Sequence, residues 1–277
     1  NDNLMIRTSI ANDSLQPTHL GQVASMHYIP FKAVRHFNDN LRGDMTEAEL
    51  LDCIFSSGMF QSLIFRNQEM SELENFRTPI PLLTPCYETA GKVNVLFQSY
   101  VSRYMFRTAS LALDQGWIAD NMQRVFDAIF ELAIEKGWCF IAIFAMNLCK
   151  MIEHQMWWTP ERKDHPLRQI LKASKYNGLF QKLERLGIGV EELRTENANQ
   201  IKQAVRNEQL ALDAINAARR FPSINIGVRY QPMSDTIVSL TINVIFPFDW
   251  DHSIVQQTEM FWVFVQEVDG SAMYHAQ

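Results

Sequence analysis

Seven histidines, four cysteines and one carboxylate-bearing helical stretch are the residues of this chain that could carry chemistry. His19, His27, His36, His154, His165, His252 and His275 stand apart: none lies three or four residues from another. No two would therefore share one helix face as paired zinc ligands do. Cys53, Cys86, Cys139 and Cys149 are spaced by 33, 53 and 10 residues, without a Cys-x-x-Cys pair. That leaves zinc knuckles and thioredoxin-type chemistry unsupported and reads as free thiols in a reducing compartment. A metal site assembled from distant ligands stays open. The glycines lie singly, so neither a phosphate loop nor a dinucleotide fingerprint is present, and no His-Glu-x-x-His or nucleophile elbow occurs. Asp120, Asp127, Glu131 and Glu135 fit a solvated or salt-bridged helix face better than a general acid–base pair. These residues give no reason to expect catalysis, or a cofactor, in this stretch of chain.

The 277 residues include 25 Lys+Arg against 31 Asp+Glu, a formal charge of −6. Nonspecific coating of nucleic acid draws on surplus positive charge and is disfavoured, although a narrow contact is compatible with this balance. A 47% hydrophobic content is too high for a disordered chain. No run of 18 apolar residues and no signal peptide is visible, so no membrane association is expected. A chain that opens on Asn1 rather than Met reads as a piece of something longer.

Hydrophobic periodicity places the elements. Residues 1–20 read as a linker or tail. From Gly21 the pattern is helical, with Pro30 opening a helix over 31–41 and Thr46 with Glu49 forming a capping box before Leu50, Leu51, Ile54 and Phe55. A short helix is predicted over 68–76, followed by a connector broken by Pro79, Pro81 and Pro85. Three long helices follow: 92–114, then 118–136 after an interruption at Gly116-Trp117, then 139–157. The last is apolar over most of its circumference and is expected near the bundle centre. Gly137 suits a left-handed helix end. Trp117, Trp138, Trp157 and Trp158 sit at helix ends, where packing is a better reading than base stacking. Beyond a hinge at 158–167, helical segments are predicted over 176–186, 190–194 and 197–220, the last with breaks. After Pro222 the period changes to two, with strands near 224–230, 238–246 and 260–266 and a turn at Gly270. That change, with a fourth strand at Met273-Tyr274 after the turn, argues for a separate β domain, although four strands are too few to close a sandwich.

Several blocks resemble the Sec-63 homology module of the Ski2-like helicases. Leu20 through Ile29 (LGQVASMHYI) resembles LGRIASxYYI. Phe60 through Leu73 (FQSLIFRNQEMSEL) resembles EFxxIxxRxxExxEL, matching at Phe60, Arg66, Glu69, Glu72 and Leu73. Asn94 through Ser102 resembles NxLLQAxIS, and Asn121-Met122-Gln123-Arg124, Ala128 through Glu131 and Lys136-Gly137-Trp138 resemble NAxR, AxFE and RGW. Leu148 through Ile152, Met156-Trp157 and Pro166 through Gln169 resemble LCKMI, MW and PLRQ. Phe248-Asp249-Trp250, Phe261 through Val265 and Tyr274-His275 resemble the start of a fibronectin-like domain.

The resemblance implies a multidomain α-then-β architecture. After the 1–20 tail of a preceding winged-helix domain come a helical bundle over 21–157, a helix-loop-helix domain over 158–222 and an immunoglobulin- or fibronectin-like β domain over 223–277, truncated or complete. It implies a non-catalytic accessory module of an ATP-dependent RNA helicase, with ATP and Mg used elsewhere in the parent chain. Its partners would be the RecA and winged-helix domains of the same polypeptide, single-stranded RNA, and proteins of the spliceosome or another complex. The location would be nuclear, in pre-mRNA splicing and U4/U6 unwinding, or cytoplasmic for relatives acting in ribosome rescue. A protein-interaction module of an inactive cassette is the other reading.

By the same resemblance, 118–136 corresponds to a ratchet-like helix along the RNA channel, with Arg124, Asp127 and Glu131 facing nucleic acid. Asp127 stands where the family has a second arginine. Arg124 thus has two readings: a bidentate phosphate contact, or an ion pair with Asp120 or Asp127 on its own helix. Lys202 and Arg206 are basic contact candidates in a segment lacking the family's glycine hairpin, with a solvated face as the alternative. Trp262 and Phe264 share one strand face and are candidates for a protein contact.

Overall fold

The computed structural model describes residues 6–9, 14–195, 198–248, 262–266 and 273–276. Asp249, Trp250, His252, Phe261 and Gly270, all singled out above, lie outside these residues. The described chain is mostly helical with three two-stranded antiparallel sheets. It divides into two compact units, Asn1–Lys163 with Phe261–Gln277, and Asp164–Met260.

The first unit begins with a hairpin, β1 (Ile6–Ser9) and β2 (Ser14–Pro17), within the stretch read as a linker. Helices α1 (His19–Met26), α2 (Phe31–Asn40) and α3 (Glu47–Phe55) follow. The Thr46 box forms as its spacing predicts: Thr46 N–H donates to Glu49 Oε2 at 2.8 Å, and Glu49 N–H to Thr46 Oγ1 at 3.3 Å. After α4 (Met70–Asn75) come α5 (Thr89–Val101), α6 (Ala109–Lys136) and α7 (Cys139–His154).

Two expectations need correction. Gly116-Trp117 does not interrupt a helix; α6 runs through it for 28 residues. One glycine costs a helix only about 1 kcal/mol, and here Trp117 packs edge-on against buried Phe60, with ring centroids 6.1 Å apart. The break falls instead at 102–108, where Arg103 takes a left-handed φ of +59°. Nor is α7 the most enclosed helix, since Phe140 and Ile143 are exposed. That place belongs to α5, whose residues 91–99 are buried without a gap, Lys92, Asn94, Gln98 and Ser99 among them. Periodicity missed it because polar residues in a core are tolerable only when each finds a partner. Gln98 accepts from Ile80 N–H at 2.8 Å and donates to Ile80 O at 2.9 Å, fixing the proline-rich connector. Gly91 lets that connector press onto α5: a Cβ there would lie 2.0 Å from Pro85 O.

A last hairpin of this unit pairs β5 (Val263–Gln266) with β6 (Met273–Ala276). The second unit holds α8 (Ala173–Leu186), α9 (Val190–Thr195), α10 (Ala198–Val205) and α11 (Glu208–Arg220) around Leu179, Phe180, Leu183, Ile201 and Ala214. In it β3 (Asn225–Pro232) pairs with β4 (Val238–Ile245), setting Ile226, Val228 and Tyr230 opposite Val244, Ile242 and Leu240.

Candidate nucleic-acid interface

Helix α6 is sealed along Met122, Val125, Phe126 and Ile129 and partly open along Asp120, Arg124, Asp127 and Glu131. Offsets of four, seven and eleven residues put those four on one stripe. Gly137 closes the helix at φ +71°, as its position predicts.

The open residues are held by neighbours rather than by one another. Arg124 Nη1 donates to the Tyr28 carbonyl and Nη2 to Asn121 Oδ1 at 2.9 Å. Asp127 accepts from Gln123 Nε2 at 3.4 Å and from the Cys149 thiol of α7 at 3.3 Å. Burial, with this carboxylate next in weight, pushes the Cys149 thiol pKa upward. Neither Asp120 nor Asp127 takes Arg124 as a partner among the bonds the structure gives, so the guanidinium is not spent on its own helix's carboxylates. Glu131 Oε1 lies 3.0 Å from His27 Nε2, out of line for a hydrogen bond, and Glu135 Oε2 lies 2.6 Å from His19 Nδ1. His19 opens α1 and His27 is the residue that ends it, so both ends of α1 lie against α6.

Trp262 and Phe264 stack on one face of the β5 strand end, rings 6.3 Å apart and 11° from parallel, and Trp262 meets Phe130 of α6 edge-on at 5.0 Å. One surface they face is thus their own bundle. Trp262 and Phe130, with His19, His27, Asp127, Glu131, Ile134 and Glu135, border a cleft of about 620 Å³. In the other unit, Lys202 Nζ closes on Glu208 Oε1 at 2.6 Å across the α10–α11 corner, which holds the Glu208 carboxyl below its ordinary range. Arg206 occupies that corner at φ +54°, exposed and with no side-chain partner among the described residues. Among the described residues no group of three His, Cys, Asp or Glu could hold a metal, and no helix is long and apolar enough to cross a membrane.

The family model for the Sec63 Brl domain matches residues 17–277. The chain belongs to this family. It is 30% identical over 275 residues to an activating signal cointegrator 1 complex subunit 3-like protein of Dictyostelium discoideum. It is 28% identical over 275 residues to the human U5 small nuclear ribonucleoprotein 200 kDa helicase and to the DExH-box ATP-dependent RNA helicase DExH12 of Arabidopsis thaliana. Each alignment takes in 99% of this chain but only 12%, 13% and 12% of the respective relative. The Sec63 chain thus spans about an eighth of those proteins.

The structure gives the Sec63 signature blocks physical roles that sequence reasoning missed. Arg66 and Glu69 join Lys92 and Asp114 in a charge cluster whose Lys92 and Glu69 are fully buried and whose Arg66 stays exposed. Lys92 Nζ is 2.9 Å from Glu69 and 2.6 Å from Asp114, and Arg66 Nη1 is 2.7 Å from Glu69 and 3.1 Å from Asp114. Glu72 accepts from Arg107 N–H at 3.0 Å and Thr108 N–H at 3.2 Å, capping the entry to α6. Arg168 lies buried over Phe180 at 4.5 Å and donates to Glu184 at 3.0 and 3.4 Å. The signal was the i, i+3, i+6 spacing of Arg66, Glu69 and Glu72, and the lone arginine of PLRQ.

Proposed function

We propose that this Sec63 chain is a non-catalytic accessory module of an ATP-dependent RNA helicase, guiding single-stranded RNA along α6 and bracing the RecA and winged-helix domains of its own polypeptide. ATP and Mg would act on those other domains. The observation that carries the reading is Arg124. It sits on the open stripe of a helix fixed from behind by α5 and α7, its guanidinium held in place by neutral acceptors and thus still a full positive charge toward solvent. Asp127 and Glu131 border the same path and favour base amino groups over phosphates. Lys202 is neutralised by Glu208, which leaves Arg206 as the stronger second contact.

The relatives' names support a parent acting in a U5 small nuclear ribonucleoprotein or a signal cointegrator complex. The narrower reading is a nuclear role in pre-mRNA splicing, at U4/U6 unwinding; the cointegrator-type parent, with a cytoplasmic role in ribosome rescue, is its competitor. The apolar pairs exposed on β3 and β4 support reading the strands as part of an immunoglobulin- or fibronectin-like domain.

Fluorescence anisotropy of the 277-residue chain with a labelled uridine 12-mer tests the RNA role. The expected binding is micromolar and weakens as salt rises, and Arg124→Glu removes most of it. An affinity untouched by Arg124→Glu, or no binding at low salt, defeats the reading.

One observation favours a second reading, a protein-docking module. The cleft beside Trp262 combines Asp127, Glu131 and Glu135 with Phe130 and Ile134, and among the described residues no Lys or Arg lines it. A partner's arginine or lysine would lay its stem on the rings and its charge on the carboxylates. Loss of partner binding in Trp262→Ala, with RNA affinity intact, would favour it.

A further inference from the structure

The corner between α1 and α2 carries a residue that neither reading uses. Tyr28 has φ +52°, a left-handed conformation following a helix end, where glycine or asparagine is usual and a bulky side chain is strained. Its side chain is 83% exposed and makes no ring contact or hydrogen bond among the described residues. The flanking backbone is tightly fixed. Ile29 N–H donates to Ala24 O at 2.9 Å, the Ile29 side chain is buried, and the Tyr28 carbonyl accepts from Arg124 Nη1. The guanidinium of α6 therefore fixes the peptide group that carries the ring. A strained backbone that displays an aromatic ring to water returns nothing to the stability of this chain, and strain of that kind marks contact sites.

The surroundings point to a nucleic acid. Arg124 is bonded to the Tyr28 carbonyl. Beginning three residues past Tyr28, the first turns of α2 carry Lys32 and Arg35, neither of which has a carboxylate partner among the described residues, and no Asp or Glu occurs between Tyr28 and Asp39. Along α6, by contrast, Asp120, Asp127 and Glu131 repel phosphate. Stacking carries no charge and holds a base equally well beside carboxylates, so a ring suits this edge of the path better than a further cation would. We propose that Tyr28 is a nucleobase-stacking subsite for single-stranded RNA, with Arg124 as its positioning residue and Lys32 and Arg35 meeting the adjoining phosphates. The inference rests on the RNA reading given above.

The test uses the 277-residue chain, the uridine 12-mer and an abasic 12-mer with the same phosphates. Tyr28→Gly should melt no lower than the parent, since glycine relieves the left-handed strain, yet bind the uridine strand about tenfold more weakly, the loss of one ordinary stack. Tyr28→Phe should bind as the parent does, and the abasic strand should not distinguish Tyr28→Gly from it. Should the parent bind RNA through Arg124 while Tyr28→Gly binds the uridine strand equally well, the stacking subsite falls and the RNA reading stands; the ring would then belong to a protein contact. Equal weakening on both strands would also overturn stacking. Absence of RNA binding by the parent defeats the RNA reading itself, and the subsite with it.

Discussion

Lys92 Nζ lies 2.9 Å from Glu69 Oε2, and both side chains are wholly withdrawn from water. Two charges so placed lose several kcal/mol of hydration each, which only close pairing and additional hydrogen bonds repay. Here they are repaid twice over. Glu69 also accepts from Ser110 at 2.6 Å and from Arg66, and Lys92 also donates to Asp114 and to the Ile64 carbonyl at 3.1 Å. The cluster ties the segment before α4 to α5 and to the first turns of α6, so the helix that carries Arg124 is set in place at its start by buried charge.

Removing one member should therefore be costly. Lys92→Met leaves Glu69 and Asp114 facing a methyl group and should destabilise the bundle by about 3–5 kcal/mol. Urea denaturation would show it as a lower midpoint at unchanged slope. The double variant Lys92→Met with Glu69→Met should lose less than the two single losses added together, the sign of direct coupling.

Acid should act on the same cluster. Burial raises the Glu69 carboxyl, but hydrogen bonds from Ser110, Lys92 and Arg66 outweigh it and hold the pKa near 2, against an ordinary 4.5. A folded pKa below the unfolded one means that the unfolded chain takes the proton first. The stabilisation is complete above about pH 5 and fades as pH falls toward about 2. Urea midpoints measured from pH 6 down to pH 3 should fall more steeply for the parent chain than for Glu69→Gln.

Gly91→Ala should be among the most disruptive single-methyl changes. Its Cβ would meet the Pro85 carbonyl oxygen at 2.0 Å, and Pro85 C and Thr84 O at 2.4 and 2.5 Å, all backbone. Backbone cannot rotate aside as a side chain does, so a loss of about 3 kcal/mol is expected. Thermal melting would read it as a lower Tm, while Gly116→Ala, with open space around the new methyl, should raise stability slightly.

Arg168→Lys should weaken the second unit selectively. An ammonium cannot make the two-pronged contact to Glu184 or lie flat over Phe180. The expected loss is about 2 kcal/mol. Hydrogen exchange should quicken in α8 and α11 while α5 and α6 keep their protection.

The order of helices, the Thr46 box, the Gly137 end and the change to strands after Pro222 were legible because each depends on neighbours within a few residues. The Arg66, Glu69 and Glu72 block was visible as a pattern, but its purpose was not. Its partners Lys92, Asp114 and Ser110 lie 23 to 48 residues away in sequence, and polar residues on a helix normally signal a solvated face. Reading α7 as the central helix failed for that reason. Arg124 was found by resemblance. Tyr28, in a quoted block, passed unremarked because nothing in the residue type announces a left-handed backbone.

By itself the sequence determined the family, the mostly helical bundle and the presence of a cation on an otherwise acidic helix, since periodicity, caps and motif spacing are written locally. Only the tertiary structure decided which carboxylates were committed. Asp127 went to a thiol on α7, Glu131 lies beside the histidine that ends α1, and Glu69 went to a buried lysine, leaving Arg124 to hold the Tyr28 carbonyl. Those choices depend on which side chains come within hydrogen-bonding reach after the helices pack, and at that range desolvation and geometry, not sequence distance, select the partner.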